Sequence, residues 1–138
     1  MGVIVLDAGV LIGIANANDV HHGSAQAAVA AARTQGHTLV LPVSAYAEAA
    51  VYPHHLGRAA VLKFDRFIDS MPVRVEPASR AIGAGAAALR AEHGRRLRLP
   101  DALVIATAIT LAADRVVTTD AAWPDVGVPV TVLSGGGS

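Results

Sequence analysis

Short, continuous apolar runs recur along the chain, separated by longer segments in which apolar residues return with helical spacing. A run that is apolar throughout, rather than at every second position, is typical of a strand buried on both faces of a parallel sheet. Such runs predict strands at residues 3–6, 38–41, 73–75, 115–119 and 128–133. Strands that alternate with helices indicate an α/β protein with a mainly parallel sheet.

The intervening segments predict six helices, at residues 10–15, 20–34, 44–53, 54–70, 77–92 and 100–113. Asp19 and Ser44 are the expected N-caps of the second and third helices, and Pro53 is expected to end the third. The fourth helix has charges on one side and apolar residues on the other, which predicts a surface helix. The sixth is apolar nearly all round after Asp101, and we expect it to be central.

A chain of 138 residues predicts one domain, and we assign residues 1–133 to it and residues 134–138 to a flexible Gly/Ser tail. Eleven Lys and Arg balance eleven Asp and Glu, so nucleic acid would have to bind to a local basic patch. Cysteine is absent, which excludes disulfides and thiolate metal sites. Because no stretch is long and apolar enough to cross a membrane, we expect a soluble, cytoplasmic protein with no membrane partner.

Three aspartates occupy positions at which carboxylates are expected to meet. Asp7 and Asp120 each follow a predicted strand, and the carboxyl ends of parallel strands share one edge of a sheet. Asp101 lies in the first turn of the predicted central helix, whose N-terminal end opens towards the same edge. Each of these residues alone also has an ordinary structural interpretation, as a helix cap or in an Asx turn.

Glu48 is harder to explain as a structural residue. Its helical neighbours are mostly apolar, and no Lys or Arg lies within a helical turn of it. Four carboxylates that converge without basic partners raise one another's pKa unless a cation neutralises them. Oxygen ligands alone favour Mg²⁺, with Mn²⁺ as a substitute, and such an ion activates water and stabilises an in-line displacement at phosphorus.

The acidic residues lie in four motifs that resemble those of the PIN-domain ribonucleases, most closely the VapC toxins of bacterial toxin–antitoxin pairs. The motifs are VLDAGVLI at 5–12, SAYAEAA at 44–50, RLPDALVIATA at 98–108 and VVTTD at 116–120. The resemblance extends over nearly the whole chain and implies a PIN-like, three-layer α/β/α fold around a parallel sheet.

The resemblance also implies an activity and partners. It implies a Mg²⁺-dependent endoribonuclease of a type II toxin–antitoxin pair, which forms a homodimer, cleaves RNA and binds a cognate antitoxin. The metal-binding and catalytic residues that it implies are Asp7, Glu48, Asp101 and Asp120.

Two positions depart from the family pattern. The family usually carries Ser, Thr or Asn two residues after its first Asp, where this chain has Gly9. It often carries a further Asp or Asn after the last motif, whereas Asp120 is followed here by Ala-Ala-Trp. A catalytically weak protein that binds antitoxin or RNA is therefore an alternative. A metal-dependent phosphatase or DNA nuclease is another, because no motif identifies a 2′-hydroxyl.

Two further features concern partners. Arg95, Arg96 and Arg98 form a basic cluster just before Asp101, which is placed to hold RNA phosphates or is, equally, an exposed loop kept soluble by its charge. Residues 10–15 and 56–68 carry more apolar residues than one small domain needs to bury. We therefore expect a symmetric dimer and a groove that accepts an antitoxin helix.

Overall fold

A computed structural model describes residues 2–135. Its sheet consists of β1 (Val3–Leu6), β2 (Thr38–Pro42), β3 (Val73–Glu76), β4 (Arg115–Thr118) and β5 (Val130–Val132). The strands lie in the order β3-β2-β1-β4-β5, and every neighbouring pair is parallel. The predicted parallel sheet is confirmed, with strand ends that differ from the prediction by one or two residues.

Six α-helices connect the strands and complete the predicted three-layer α/β/α fold. They are α1 (Ala8–Ala15), α2 (His22–Thr34), α3 (Val43–Leu56), α4 (Arg58–Ser70), α5 (Arg80–His93) and α6 (Leu99–Thr110), with a 3₁₀ turn at Gly94–Arg96. Most of α6 is buried, as its uninterrupted apolar sequence predicts. Phe64 and Ile68 bury one side of α4, which agrees with a surface helix.

Several predicted helix boundaries were wrong. Helix α4 begins at Arg58 rather than at residue 54, α5 begins at Arg80 rather than at residue 77, and α6 ends at Thr110 rather than at residue 113. Asp19 precedes α2 in a turn, where its carboxylate accepts from the backbone N–H of His21 at 2.8 Å. The N-cap of α3 is Pro42, not Ser44, and α3 continues through Pro53. Proline removes only one intrahelical hydrogen bond, whereas Gly57 has a φ of 115°, which a right-handed helix cannot continue. Gly57 is therefore the residue that separates α3 from α4.

The hydrophobic core has two parts. The larger surrounds the sheet, where Ile4, Val5, Leu39 and Val40 are at most 2% exposed. The smaller lies between α5 and α6 and is formed by Ile82, Ala86, Leu97, Ala102, Ile105, Ala106 and Val126. Because α6 contributes to both parts, its first turn is held firmly relative to the sheet.

A hydrogen bond joins the C-terminal end of the described residues to α2. The carbonyl of Ser134 accepts a hydrogen bond from the hydroxyl of Ser24 at 3.0 Å, and residues 136–138 of the predicted tail lie outside the described residues. Within residues 2–135, no helix combines the length and the hydrophobicity that crossing a bilayer requires.

Candidate metal centre

From the strand order we expect a crevice at the carboxyl edge of the sheet, between β1 and β4. The chain passes from β1 to β2 on one side and later returns to β4 on the other, so the connections diverge at this point. Open α/β sheets bind their ligands in such crevices. Asp7 directly follows β1, and Asp120 lies two residues beyond β4. The topology thus places both residues beside the crevice.

Asp7 is held in place by two hydrogen bonds. Its Oδ1 accepts from the backbone N–H of Ala8 at 2.8 Å, as the N-cap of α1, and its Oδ2 accepts from the hydroxyl of Thr118 at 2.7 Å. Asp7 is only 6% exposed, and this burial raises its pKa from an ordinary 3.8 to about 6. The two hydrogen bonds lower the pKa, and the negative charges of Asp101 and Glu48 raise it.

Thr118 links two of the predicted site residues. Its buried Oγ1 donates to Asp7 and also accepts from the backbone N–H of Asp120 at 3.1 Å. The carboxylate of Asp120 in turn accepts from the backbone N–H of Ala122 at 2.8 Å. One hydroxyl therefore sets the position of Asp7 relative to the loop that carries Asp120.

Asp101 is the second buried carboxyl of the site, 5% exposed in the first turn of α6. Burial raises its pKa, the Arg98 guanidinium lowers it, and the charge of Asp120 raises it. The indole Nε1 of Trp123 is buried and forms no hydrogen bond within residues 2–135. The charges of the acidic residues thus act on one another across the crevice.

Glu48 has a basic partner, contrary to the sequence-based expectation. Its Oε1 lies 3.7 Å from Nη2 of Arg98, and Nε of the same guanidinium lies 3.5 Å from Oδ2 of Asp101. The partner was missed because it comes from the start of α6 rather than from the helix that carries Glu48. Arg98 was a candidate for holding RNA phosphates, with an exposed loop as the equal alternative, and here it contacts two carboxylates.

The four carboxylates agree with a hard divalent ion in their chemistry. They supply only oxygen ligands, and two of them are buried with raised pKa values. The single exposed guanidinium of Arg98 neutralises only part of their negative charge. Within residues 2–135, however, no three His, Asp or Glu side chains lie close enough together to hold a metal ion as they stand. The assignment of Asp7, Glu48, Asp101 and Asp120 as ligands therefore stays a prediction.

Gly9 is a point of close approach between α1 and the loop after β4. A Cβ atom at this position would overlap with Oγ1 of Thr119 and lie 3.3 Å from Cβ of Thr119. Thr119 stands between Thr118 and Asp120, so the space at Gly9 allows these two residues to reach the crevice. The structure thus gives a steric reason for the glycine.

The remaining residues of the basic cluster contact no carboxylate within the described part of the chain. Arg95 and Arg96 lie in the 3₁₀ turn before α6 and are exposed. Both stay candidates for binding RNA phosphates.

Protonation of Asp7 predicts an unusual pH dependence. The folded protein keeps this proton up to about pH 6, whereas the unfolded chain loses it near pH 3.8, so the folded state holds more protons in between. Without metal, stability should therefore fall as the pH rises through this window. The Asp7→Asn variant has no such proton to lose. Chemical denaturation should show that the free energy of unfolding of Asp7→Asn, relative to that of wild type, rises by up to about 3 kcal/mol between pH 4 and pH 7. A constant difference across this range would contradict the assignment.

Fold and site define an α/β/α protein with carboxylates around the switch point of a parallel sheet. The model of the PIN domain family matches residues 4–129. The chain therefore belongs to the PIN domain family, as its motifs predict. No curated protein sequence is significantly similar to it.

Several solved structures have the same fold. VapBC2 from Rickettsia felis, bound to a DNA fragment of its promoter, is 14% identical with a TM-score of 0.76, over 96% of this chain and 99% of that one. VapC20 of Mycobacterium tuberculosis, a toxin that cleaves the sarcin-ricin loop, is 19% identical with a TM-score of 0.68, over 82% and 86%. FitAcB from Neisseria gonorrhoeae is 16% identical with a TM-score of 0.67, over 92% and 95%. At these identities the similarity concerns the fold.

Proposed function

We propose that this protein is a Mg²⁺-dependent endoribonuclease and the toxin of a type II toxin–antitoxin pair. The observation that carries the proposal is the pair of buried carboxyls, Asp7 and Asp101, whose pKa values are raised beside the switch point. Membership of the PIN domain family and the toxins among the solved structures with this fold support it.

In the proposed mechanism Asp7, Glu48, Asp101 and Asp120 hold the ion. When bound, Mg²⁺ would supply the activation of a water molecule and the stabilisation of negative charge at the scissile phosphate. Burial of Asp7 and Asp101 keeps bulk water from their carboxylates and strengthens their interaction with a cation. Thr118 orients Asp7 and thereby limits its movement during the reaction.

A cleavage assay with three substrates tests this function. RNA, single-stranded DNA and a phosphate monoester are each incubated with the purified protein in Mg²⁺ and in EDTA. We expect cleavage of RNA that requires Mg²⁺. Cleavage of DNA or of the monoester instead would favour a DNA nuclease or a phosphatase, and binding of RNA without cleavage would favour a binding module.

We also propose a homodimer and an antitoxin partner. The toxin–antitoxin complexes among the solved structures support the antitoxin partner. Apolar side chains are exposed along the second half of α3, where Val51, Tyr52 and Leu56 are 53%, 68% and 61% exposed. A groove of about 430 Å³ on the same helix is lined by Tyr46, Ala47, Ala50, Val51, His54 and His55. In contrast, Val10 and Leu11 are buried, so α1 contributes less to this surface than expected.

Leu56→Asp is expected to weaken the dimer. The new charge would lie in a surface that a partner has to desolvate, whereas the fold of the monomer does not depend on this exposed side chain. Light scattering at micromolar concentration should show a dimer for wild type and a monomer for Leu56→Asp. Val20→Asp, a change at a residue that is 63% exposed in the segment before α2, is the control and should stay dimeric.

A further inference from the structure

Arg98 connects two acidic residues that come from different helices. It is the residue before α6, and its side chain is 67% exposed. The guanidinium lies 3.7 Å from Glu48 and 3.5 Å from Asp101, and these separations are ionic contacts longer than ordinary hydrogen bonds. Arg98 is thus close to the site without being fixed firmly in it.

The carboxylate oxygens that Arg98 contacts are ones that the proposed metal would need. Within residues 2–135, the other ion pairs lie elsewhere and join His21 to Asp19, His37 to Asp114, Arg74 to Glu76 and His93 to Glu92. The guanidinium is therefore the cation in ionic contact with the proposed metal ligands. A divalent ion held by Glu48 and Asp101 would compete with the guanidinium for these carboxylates and would repel it.

We propose that Arg98 is an internal counter-ion that competes with the divalent metal for Glu48 and Asp101. In the absence of metal it offsets part of the repulsion between the carboxylates, and it turns outwards when the metal binds. Exposed ion pairs of this kind contribute little to stability, so the guanidinium can be displaced easily. This inference rests on the proposed metal-dependent function and adds a residue that sets the affinity for the ion.

Two matched variants test the inference. Arg98→Gln and Arg96→Gln each remove one positive charge from the same short segment, but only Arg98 contacts the acidic residues. Affinity for Mn²⁺ is measured at pH 7 by calorimetry on the full chain, with circular dichroism to verify folding. We expect Arg98→Gln to bind Mn²⁺ about fivefold more tightly than wild type. Arg96→Gln should change the affinity less, and Arg98→Lys, which keeps the charge, should stay close to wild type.

The possible results separate this inference from the proposed function. If wild type binds Mn²⁺ and Arg98→Gln binds it no more tightly than Arg96→Gln does, Arg98 is not a competitor, while the metal site stands. If Arg98→Gln binds Mn²⁺ more weakly than wild type, the guanidinium supports the site instead, which also overturns the inference. If none of the proteins binds Mn²⁺, the proposed metal-dependent function fails, and the inference fails with it.

Discussion

Replacing Asp101 with Asn is expected to reduce RNA cleavage by about a thousandfold and to leave the protein folded. When a metal ion stabilises the transition state, loss of the charge of one of its ligands removes several kcal/mol of that stabilisation. Each 1.36 kcal/mol corresponds to about a tenfold change in rate. Folding should tolerate the change because burial already disfavours the charged form of Asp101. Asn has nearly the same volume and keeps an acceptor at the start of α6.

The measurement combines a rate with a melting temperature. Cleavage of a labelled RNA is followed in Mg²⁺, and thermal melts are recorded with and without Mn²⁺. Asp114→Asn is the control, since Asp114 precedes β4 at the opposite edge of the sheet, where it pairs with His37. Equal cleavage by the Asp101 variant and wild type would show that Asp101 is not a ligand.

Filling the space at Gly9 is expected to destabilise the protein by about 1–3 kcal/mol, as overpacking of a close contact usually does. In Gly9→Ala the new methyl group overlaps with the hydroxyl of Thr119, so the Thr119 side chain has to rotate or its loop has to shift. A shift of the loop would also displace Asp120 and reduce cleavage. A larger side chain such as Ser, which the family usually carries here, meets the same obstacle.

A double variant identifies the cause. Gly9→Ala combined with Thr119→Ala removes the overlapping hydroxyl, so thermal melts should recover most of the lost stability. Gly83→Ala is the control, because a Cβ at this helical position meets nothing within 4 Å and should stabilise the protein by about 0.4–1 kcal/mol. If Gly9→Ala stabilises the protein as Gly83→Ala does, the close approach to Thr119 has no energetic consequence.

The sequence was sufficient to predict the layers of the fold because its local patterns and its long-range packing agree. Val3–Leu6 is apolar at every position, which suits only a strand covered on both faces, and the structure places it at the centre of the sheet. The helix boundaries around residues 42–57 were less predictable. Serine often caps the start of a helix, and glycine often ends one. Only the backbone conformation shows that Gly57 ends α3 and that Ser44 does not cap it.

The residues of the candidate site could be selected from the sequence one at a time, but their contacts could not. Asp7 and Asp120 were recognisable because each follows a strand. The hydrogen bond from Thr118 to Asp7 joins residues that are 111 positions apart. A polar residue at the end of an apolar strand, two positions before Asp120, was nevertheless a usable indication of a role for Thr118. The position of Arg98 between two helices depends on how α3 and α6 pack, which no local pattern contains.

The central position of β1 has a consequence for how the protein is made. This strand leaves the ribosome before both of its neighbours, β2 and β4. Because Ile4 pairs with Arg115, their pairing has to wait until β4 has been made. Pairing of such distant segments is a late and slow event in folding. A chain interrupted before β4 would carry Asp7, Glu48 and Asp101 without the strand and the hydroxyl that hold Asp7 in place. The order of synthesis therefore delays assembly of the site until β4 has been made.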